Sequence, residues 1–511
     1  MPSADNKRLA KNTLFLYFRM FLVMGVSLFT SRVILNALGV NDFGIYNVVG
    51  GIVSLFSIVS ASLSSAISRF ITFELGAGNK ERLCEVFSTS ISIQFRIAAI
   101  VLLILAPIGF WFLNTKMNIS PERIYSANWV FLFSLLSFCV SLLSVPYDAA
   151  LIAHEHMKTF AYVGILEVAL KLGVAYLVYA FNDDRLIFYA LLIFSVSVIL
   201  RIIYGVYCNR HFIECKSKPK YNKAIFKEMS AFAGWNFIGS SSSILRDQGN
   251  NIILNLFYGT VVNAAYSIGM QVSSASNRFA ESFMTALRPQ ITKTYAQGDF
   301  PKLMSLIYRG SRFSFFLLWI IAIIILLNTN YVLTLWLKNV PEYTVTFVQL
   351  FIIFVMSESI SQPLITAQLA TGKIKWYQIC VGGSKLFNLP VSYLLLYLGY
   401  SPYVTVQIAI AISLAMLLLR FYFLKNMIGL KAADFVKEVL LPVILVIVVS
   451  YPLCWVSTHL MTENFGFLII RCLIIFAITS ITVFLIGCNK SEKKLIGNKI
   501  NSIVRRKANQ L

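Results

Sequence analysis

Long apolar runs alternate with short polar segments fourteen times along the chain. The runs cover residues 14–38, 43–67, 87–113, 127–151, 160–181, 186–208, 231–257, 261–287, 313–337, 343–369, 377–399, 402–424, 439–459 and 465–487. Each is long enough for a helix to cross bilayer hydrocarbon, which takes about 20 mostly apolar residues. The pattern is disturbed between Asn236 and Asp299, where polar side chains recur inside two of the runs. In the second of these, Ser267, Gln271, Ser274, Arg278 and Ser282 follow at spacings of four, three, four and four, one stripe of an α-helix. In the first, Asn236, Ser240, Ser243, Asp247 and Asn250–Asn251 make a similar stripe with Arg246 at its edge. The other faces are Ile, Leu, Phe, Met and Tyr, so both stripes are expected to face protein or enclosed water. The spacing predicts a helical hairpin turning at Tyr258–Gly259–Thr260 and forming part of the wall of a hydrated cavity.

Composition agrees with this pattern. Of the 511 residues, 58% are hydrophobic and only 13% charged, about half the charged share of a soluble domain. The formal net charge of +22 points toward nucleic acid until its placement is read. Thirty basic residues lie in the segments on one side of the spans, while the other side holds only Lys116, Arg123, Arg185 and Lys338. By the positive-inside rule both termini are expected in the cytoplasm, with the basic excess serving topology and lipid headgroups rather than nucleic acid. The N-terminal charged stretch leads straight into a full-length span, unlike a cleaved leader. Eight scattered cysteines without a Cys-x-x-Cys pair imply neither disulfides nor a metal site. The cluster His154-Glu155-His156 reads as a surface loop, and no cofactor is expected.

The chain also repeats itself. Ile34-Leu35-Asn36 matches Ile253-Leu254-Asn255 at an offset of 219; one inserted residue then makes the offset 220, pairing Tyr46 with Tyr266, Ile71-Thr72 with Ile291-Thr292, Gly78 with Gly298 and Leu83 with Leu303. An offset that contains six spans gives both copies the same orientation, a parallel repeat. The expected fold is an all-α integral membrane protein of about fourteen transmembrane helices in two parallel six-helix lobes, with two extra C-terminal helices. The expected domains are an N-lobe over 1–212, a basic cytoplasmic linker over 213–230, a C-lobe over 231–428, spans 13 and 14 over 429–487, and a basic cytoplasmic tail over 488–511.

Ten basic residues fall inside the spans, and an ionisable group at membrane depth marks a functional site unless it is paired or reaches the interface. Arg19, Arg96, Arg201, Arg420 and Arg471 stand toward helix ends and read as snorkelling. Lys171 is deep but has Glu167 one turn earlier, so it stays open between an internal ion pair and a site. Lys385 lies about eight residues from a helix end and stays open between the two readings. Arg32, Arg246 and Arg278 are deep and lie on or beside the polar stripes. A guanidinium binds phosphate oxygens bidentately, so these three are the candidate anion-binding residues. Pairing of Arg246 with Asp247 and of Arg278 with Glu281 remains the competing reading for two of them. Asn36, Asn47, Ser54, Ser243, Asn250, Ser267, Gln271 and Ser274 are the expected polar lining. Ile58 stands where the repeat would place the partner of Arg278, so charge is asymmetric between the copies. Asp247 and Glu358 are the candidate acids for a coupling cation, Na+ or H+.

The segment NIILNLFYGTVVNAAYSIGMQVSSASNRFAESFMTALRPQITKTYAQGD and the earlier SRVILNALGVNDFGIYNVVGG resemble polysaccharide-biosynthesis flippases of the Wzx type, within the multidrug/oligosaccharidyl-lipid/polysaccharide (MOP) exporter superfamily. The resemblance covers most of the chain. It implies that spans 1, 2, 7 and 8 line a cavity between lobes, and that the substrate is a polyprenyl-pyrophosphate-linked oligosaccharide carried across a bacterial cytoplasmic membrane by alternating access. Drug/cation antiporters of the MATE type share the architecture and are the alternative. An acid-rich cavity, expected of a cationic-drug exporter, is not what these stripes offer. An enzymatic reading lacks an acid cluster, metal-ligand spacing or a loop large enough for a second substrate.

Overall fold

Gly39 and Gly259, 220 residues apart, share one backbone conformation: φ 78°, ψ 168° at the first and φ 74°, ψ −164° at the second. That region is open essentially to glycine alone, and it interrupts a helix for a single residue. Across Gly259 the Tyr266 hydroxyl comes within 3.5 Å of the Asp247 carbonyl. A straight helix would hold residues 19 apart at about 28 Å, so the chain folds back there as a hairpin. The repeat continues at Gly78 (φ 75°) and Gly298 (φ 72°), left-handed residues that end their helices. The next residue then caps the following helix: Asn79 Oδ1 accepts from Arg82 N at 3.1 Å, and Asp299 Oδ1 from Lys302 N at 3.1 Å.

The structure, a computed structural model, describes residues 2–54, 57–115, 117, 119–181, 183–216, 221–459, 465–490 and 492–493. Linker residues 217–220, Lys116 and the tail from 494 onward lie outside them, as do the side chains of Asn47 and Ser54. Among the described residues regular structure is helical throughout. Helix α1 spans 2–38, α2 spans 40–54 and 57–77, and α3 to α6 are Lys80–Thr115, Pro121–Ala153, Met157–Tyr179 and Arg185–His211. Helices α7 and α8 are 223–258 and 260–296; α9 and α10 are Phe300–Leu337 and Thr344–Thr371. The last four, α11 to α14, are Lys375–Tyr397, Val404–Ile428, Ala432–Ser457 and Gly466–Gly487. One helix thus stands at each of the fourteen expected spans. Eleven are long and apolar enough to cross a membrane. The other three are α2, whose residues 55–56 are undescribed, and α7 and α8, which carry the polar stripes.

The helices form two compact units, and the chain passes between units inside helices α1, α7 and α8 and again between Gly298 and Asp299, ahead of α9. One unit holds residues 11–241 and 292–298, the other 1–10, 242–291 and 299–511. In the first, Gly109 lies against the Phe131 ring, in a core with Leu113, Val130, Leu135 and Ala190. The start of α7 belongs here: Phe232 meets Phe70 edge to face at 6.0 Å, and Arg82 Nη2 stands 3.1 Å from Glu228 Oε2. The His154 loop is docked rather than free at the surface. His154 stacks on Phe212 at 4.1 Å and bonds Glu214 at 2.6 Å, while Glu155 pairs with Lys293 at 3.2 Å. In the second unit, Tyr266, Phe347 and Phe351 pack edge to face around Leu254 and Val262. Helices α13 and α14 seat on α9, where Trp319 Nε1 donates to Ser450 Oγ at 2.9 Å and Gly487 abuts Phe316. Such close small-residue packing is what holds helices together where lipid offers no hydrophobic drive.

Candidate functional site

Helix α8 turns Ala265, Tyr266, Ala280, Phe283 and Met284 into its unit. This leaves Gln271, Ser274 and Arg278 exposed on the opposite face, with Ser267 half-buried. No carboxylate among the described residues comes within 4.0 Å of the Arg278 guanidinium. Glu281, the neighbour that competed for it, is engaged by Arg288 at 2.8 Å. In the other unit Arg32 and Asn36 are likewise exposed, one helical turn apart on α1.

Arg246 behaves differently. It is 8% exposed, its Nη2 lies 2.7 Å from Asp247 Oδ1, and its guanidinium stands 4.8 Å from the Phe354 ring centroid. Adjacent side chains leave a helix in different directions, yet the arginine stem is long enough to curl back onto its neighbour. Of the two readings open for Arg246, the pair with Asp247 is the one present, so that charge is compensated within the helix.

Around Arg246 the unit builds a polar network from α7, α10, α11 and α12. Asn250 Nδ2 donates to Asn388 Oδ1 at 2.6 Å, and Asn388 Nδ2 donates to the Thr405 carbonyl at 3.1 Å. Lys385 Nζ donates to Ser243 Oγ at 2.7 Å. Helix α11 departs from α-geometry there, with a π-turn at Gln378–Gly382 and a 3-10 turn at Lys385–Phe387. Such interruptions recur at functional sites. Glu358 accepts from Ser413 Oγ, and its Oε2 stands 4.0 Å from Arg420 Nη2. Both candidate coupling acids are therefore already engaged by protein groups.

Arg420 is the clearest departure from expectation. It does not snorkel: it is 1% exposed, donating to Ser361 Oγ at 2.9 Å and to the Tyr377 hydroxyl at 3.2 Å. Two acceptors, on α10 and α11, and the Glu358 carboxylate 4.0 Å away replace the water that snorkelling would have reached. Arg201 and Arg19 also turn to protein, lying 4.0 Å over Tyr147 and 4.3 Å over Phe160, and Arg471 is buried. Of the two readings open for Lys171, the pair with Glu167 is present, at 2.6 Å. The sequence reading missed Ser361, Tyr377, Asn388 and Ser413. Only the breaker run Gly382-Gly383-Ser384 before Lys385 offered a signal. Among the described residues no group of three or more His, Cys, Asp or Glu is placed to hold a metal ion.

Residues 9–295 match the polysaccharide biosynthesis protein family, and residues 250–394 match the MatE family. A curated relative, the uncharacterized membrane protein EpsK of Bacillus subtilis, is 21% identical over 329 residues; the match spans 64% of this chain and 64% of EpsK. Among solved structures, a mutant of the Vibrio cholerae MATE transporter VcmN superposes with a TM-score of 0.68 at 16% identity, covering 83% of this chain and 98% of that one. A MOP superfamily transporter from Pyrococcus furiosus gives 0.64 at 12% identity, covering 82% and 96%. These likenesses give the fold, two lobes of MATE type. With its first 295 residues matched almost throughout, the chain belongs to the polysaccharide biosynthesis protein family of MOP-superfamily membrane transporters.

Proposed function

We propose that the protein is a flippase that carries a polyprenyl-pyrophosphate-linked oligosaccharide from the cytoplasmic to the outer leaflet of a bacterial cytoplasmic membrane by alternating access. The observation that carries this reading is Arg278, an exposed guanidinium on the polar face of α8 with no carboxylate among the described residues within 4.0 Å. A diphosphate moved through hydrocarbon loses its hydration at great cost, and a fixed guanidinium offsets that loss with charge-assisted bidentate hydrogen bonds. Arg32 with Asn36 offers the same chemistry on α1. Gln271, Ser274 and Ser267 supply the neutral donors and acceptors that a sugar needs. The lipid tail stays in the bilayer, and the basic segments meet anionic headgroups.

Coupling to Na+ or H+ belongs to Asp247 and Glu358 in this reading. Each acid is held by a guanidinium or a hydroxyl, so a cation binds there only as those groups let go. A MATE-like drug antiporter is the second reading, favoured by the MatE match over residues 250–394. It calls for an uncompensated acid on the exposed stripe, and the described stripe residues have Arg278 there instead, with Asp247 paired to Arg246.

Binding to the purified protein tests this. Polyprenyl pyrophosphate is expected to bind more tightly than the monophosphate, the alcohol least, and affinity is expected to weaken as salt rises. Ethidium-like cations binding with no preference for pyrophosphate over alcohol would overturn the flippase reading.

A further inference from the structure

The network around Arg246 holds three cations and two acids, and the structure divides them unevenly. Asp247 is taken by Arg246 at 2.7 Å, and Glu358 is held by Ser413 and faced by Arg420 at 4.0 Å. Arg420 adds Ser361 and Tyr377 as acceptors. Lys385 is left over. Among the described residues its ammonium makes one hydrogen bond, to the neutral hydroxyl of Ser243 at 2.7 Å, and no carboxylate comes within 4.0 Å of it. An ammonium carries three N–H donors, so its hydrogen-bonding capacity is unfilled; Glu358 and Asp247 act on its charge from beyond 4.0 Å, yet the three cations still exceed the two acids by one. The residue is half-buried at the point where α11 changes from π-turn to 3-10 turn, and irregular backbone at membrane depth is tolerated where it is buried in protein or lines a water-filled cavity.

Its level along the hairpin is also defined. Ser243, which holds the ammonium, is 16 residues before Gly259, and Arg278 is 19 residues after it. At 1.5 Å per residue these positions lie about 24 and about 28 Å from the turn along their own helices, within one helical turn of the same level. Both belong to one compact unit. We propose that the Lys385 ammonium is a second anion subsite at the level of Arg278, taking an acidic oxygen of the substrate that Arg278 does not. This rests on the flippase reading and sharpens its substrate class to one with at least two acidic groups. The second group is either the further phosphate of the carrier or a carboxylate on the glycan. Lysine suits the task as a compact point charge, whereas the guanidinium fork clamps two oxygens of one group.

The test compares wild type, Lys385→Gln and Arg278→Ala for binding of polyprenyl monophosphate, polyprenyl pyrophosphate, and the pyrophosphate bearing either a neutral or a uronate-containing oligosaccharide. If the subsite takes the second phosphate, Lys385→Gln lowers pyrophosphate affinity about ten-fold or more, the scale of a lost charged hydrogen bond, and leaves the monophosphate unchanged. If it takes a sugar carboxylate, the same loss falls only on the uronate ligand. Lys385→Arg keeps most of either preference. Wild-type protein gives an independent readout by mass spectrometry: the favoured ligand protects Lys385 from an amine-acylating reagent, and polyprenol does not. That arm decides the matter should Lys385→Gln fail to fold. Unchanged binding by Lys385→Gln together with no protection, while Arg278→Ala loses pyrophosphate affinity, overturns the subsite and leaves the flippase reading intact. No preference for pyrophosphate in the wild type sinks the flippase reading itself.

Discussion

Arg420→Ala should damage the protein through stability rather than through substrate. The substitution removes the donors to Ser361 (2.9 Å) and Tyr377 (3.2 Å) and takes the guanidinium away from Glu358. The Glu358 side chain is only 18% exposed, so its carboxylate is left with the Ser413 hydroxyl, the more distant Lys385 and Arg246 charges, and little water. Removing one partner of a buried charge pair destabilises by about 3–5 kcal/mol, roughly two to three and a half orders of magnitude in the folding equilibrium. Two buried acceptors lose their donor as well. Replacing both charges, Arg420→Met with Glu358→Gln, should recover most of the loss, because well-packed neutral residues often match a buried pair. The assay is the amount of monodisperse protein surviving a heating series in detergent, read by size-exclusion chromatography for the two single variants and the double. The expected order is wild type near the double variant, with Arg420→Ala far below both. Arg420→Ala melting with the wild type would mean that the guanidinium reaches water after all and that its burial plays no part in holding α10, α11 and α12 together.

Arg278→Ala should do the reverse: it should melt as the wild type does yet lose transport, since no carboxylate among the described residues pairs with it, and Arg278→Lys should restore transport only in part. Gly259→Ala should cost about 1–3 kcal/mol from backbone strain alone, because a Cβ there meets nothing within 4 Å; a thermal shift indistinguishable from wild type would refute the turn geometry, and Gly39→Ala should behave alike. Asn250→Ala should destabilise by about 1–3 kcal/mol, as Asn388, fully buried, loses its 2.6 Å partner. The same melting series checks it.

Much of the architecture was legible because the bilayer imposes one length scale and glycine one backbone region. Apolar runs set the helices, and Gly39 and Gly259 stand at the turns that separate expected spans 1 and 2, and 7 and 8. The α8 stripe was legible too, since a helix offers a single periodicity and Gln271, Ser274 and Arg278 do share an exposed face. What escaped reading lay across the fold. Ser243 meets Lys385 from 142 residues away, and Asn250 meets Asn388 from 138, separations over which no local pattern carries information. Counting residues from a helix end located Arg420 in depth but said nothing about which way it faces. The acceptors Ser361 and Tyr377 decided that. For Arg246, the rule that adjacent side chains diverge failed because it describes Cβ directions, and four further bonds let the guanidinium return to Asp247.

The most direct measurement follows both classes of substrate in one preparation. Proteoliposomes containing the purified protein are loaded with a fluorescent polyprenyl-pyrophosphate-linked oligosaccharide, and movement of the label between leaflets is read by its accessibility to an impermeant reductant. Parallel vesicles are offered ethidium under an imposed Na+ or H+ gradient. The account predicts that wild-type protein makes the labelled lipid accessible, that Arg278→Ala does not, and that ethidium stays where it was. Gradient-driven ethidium transport with the lipid-linked sugar held in its original leaflet would contradict it.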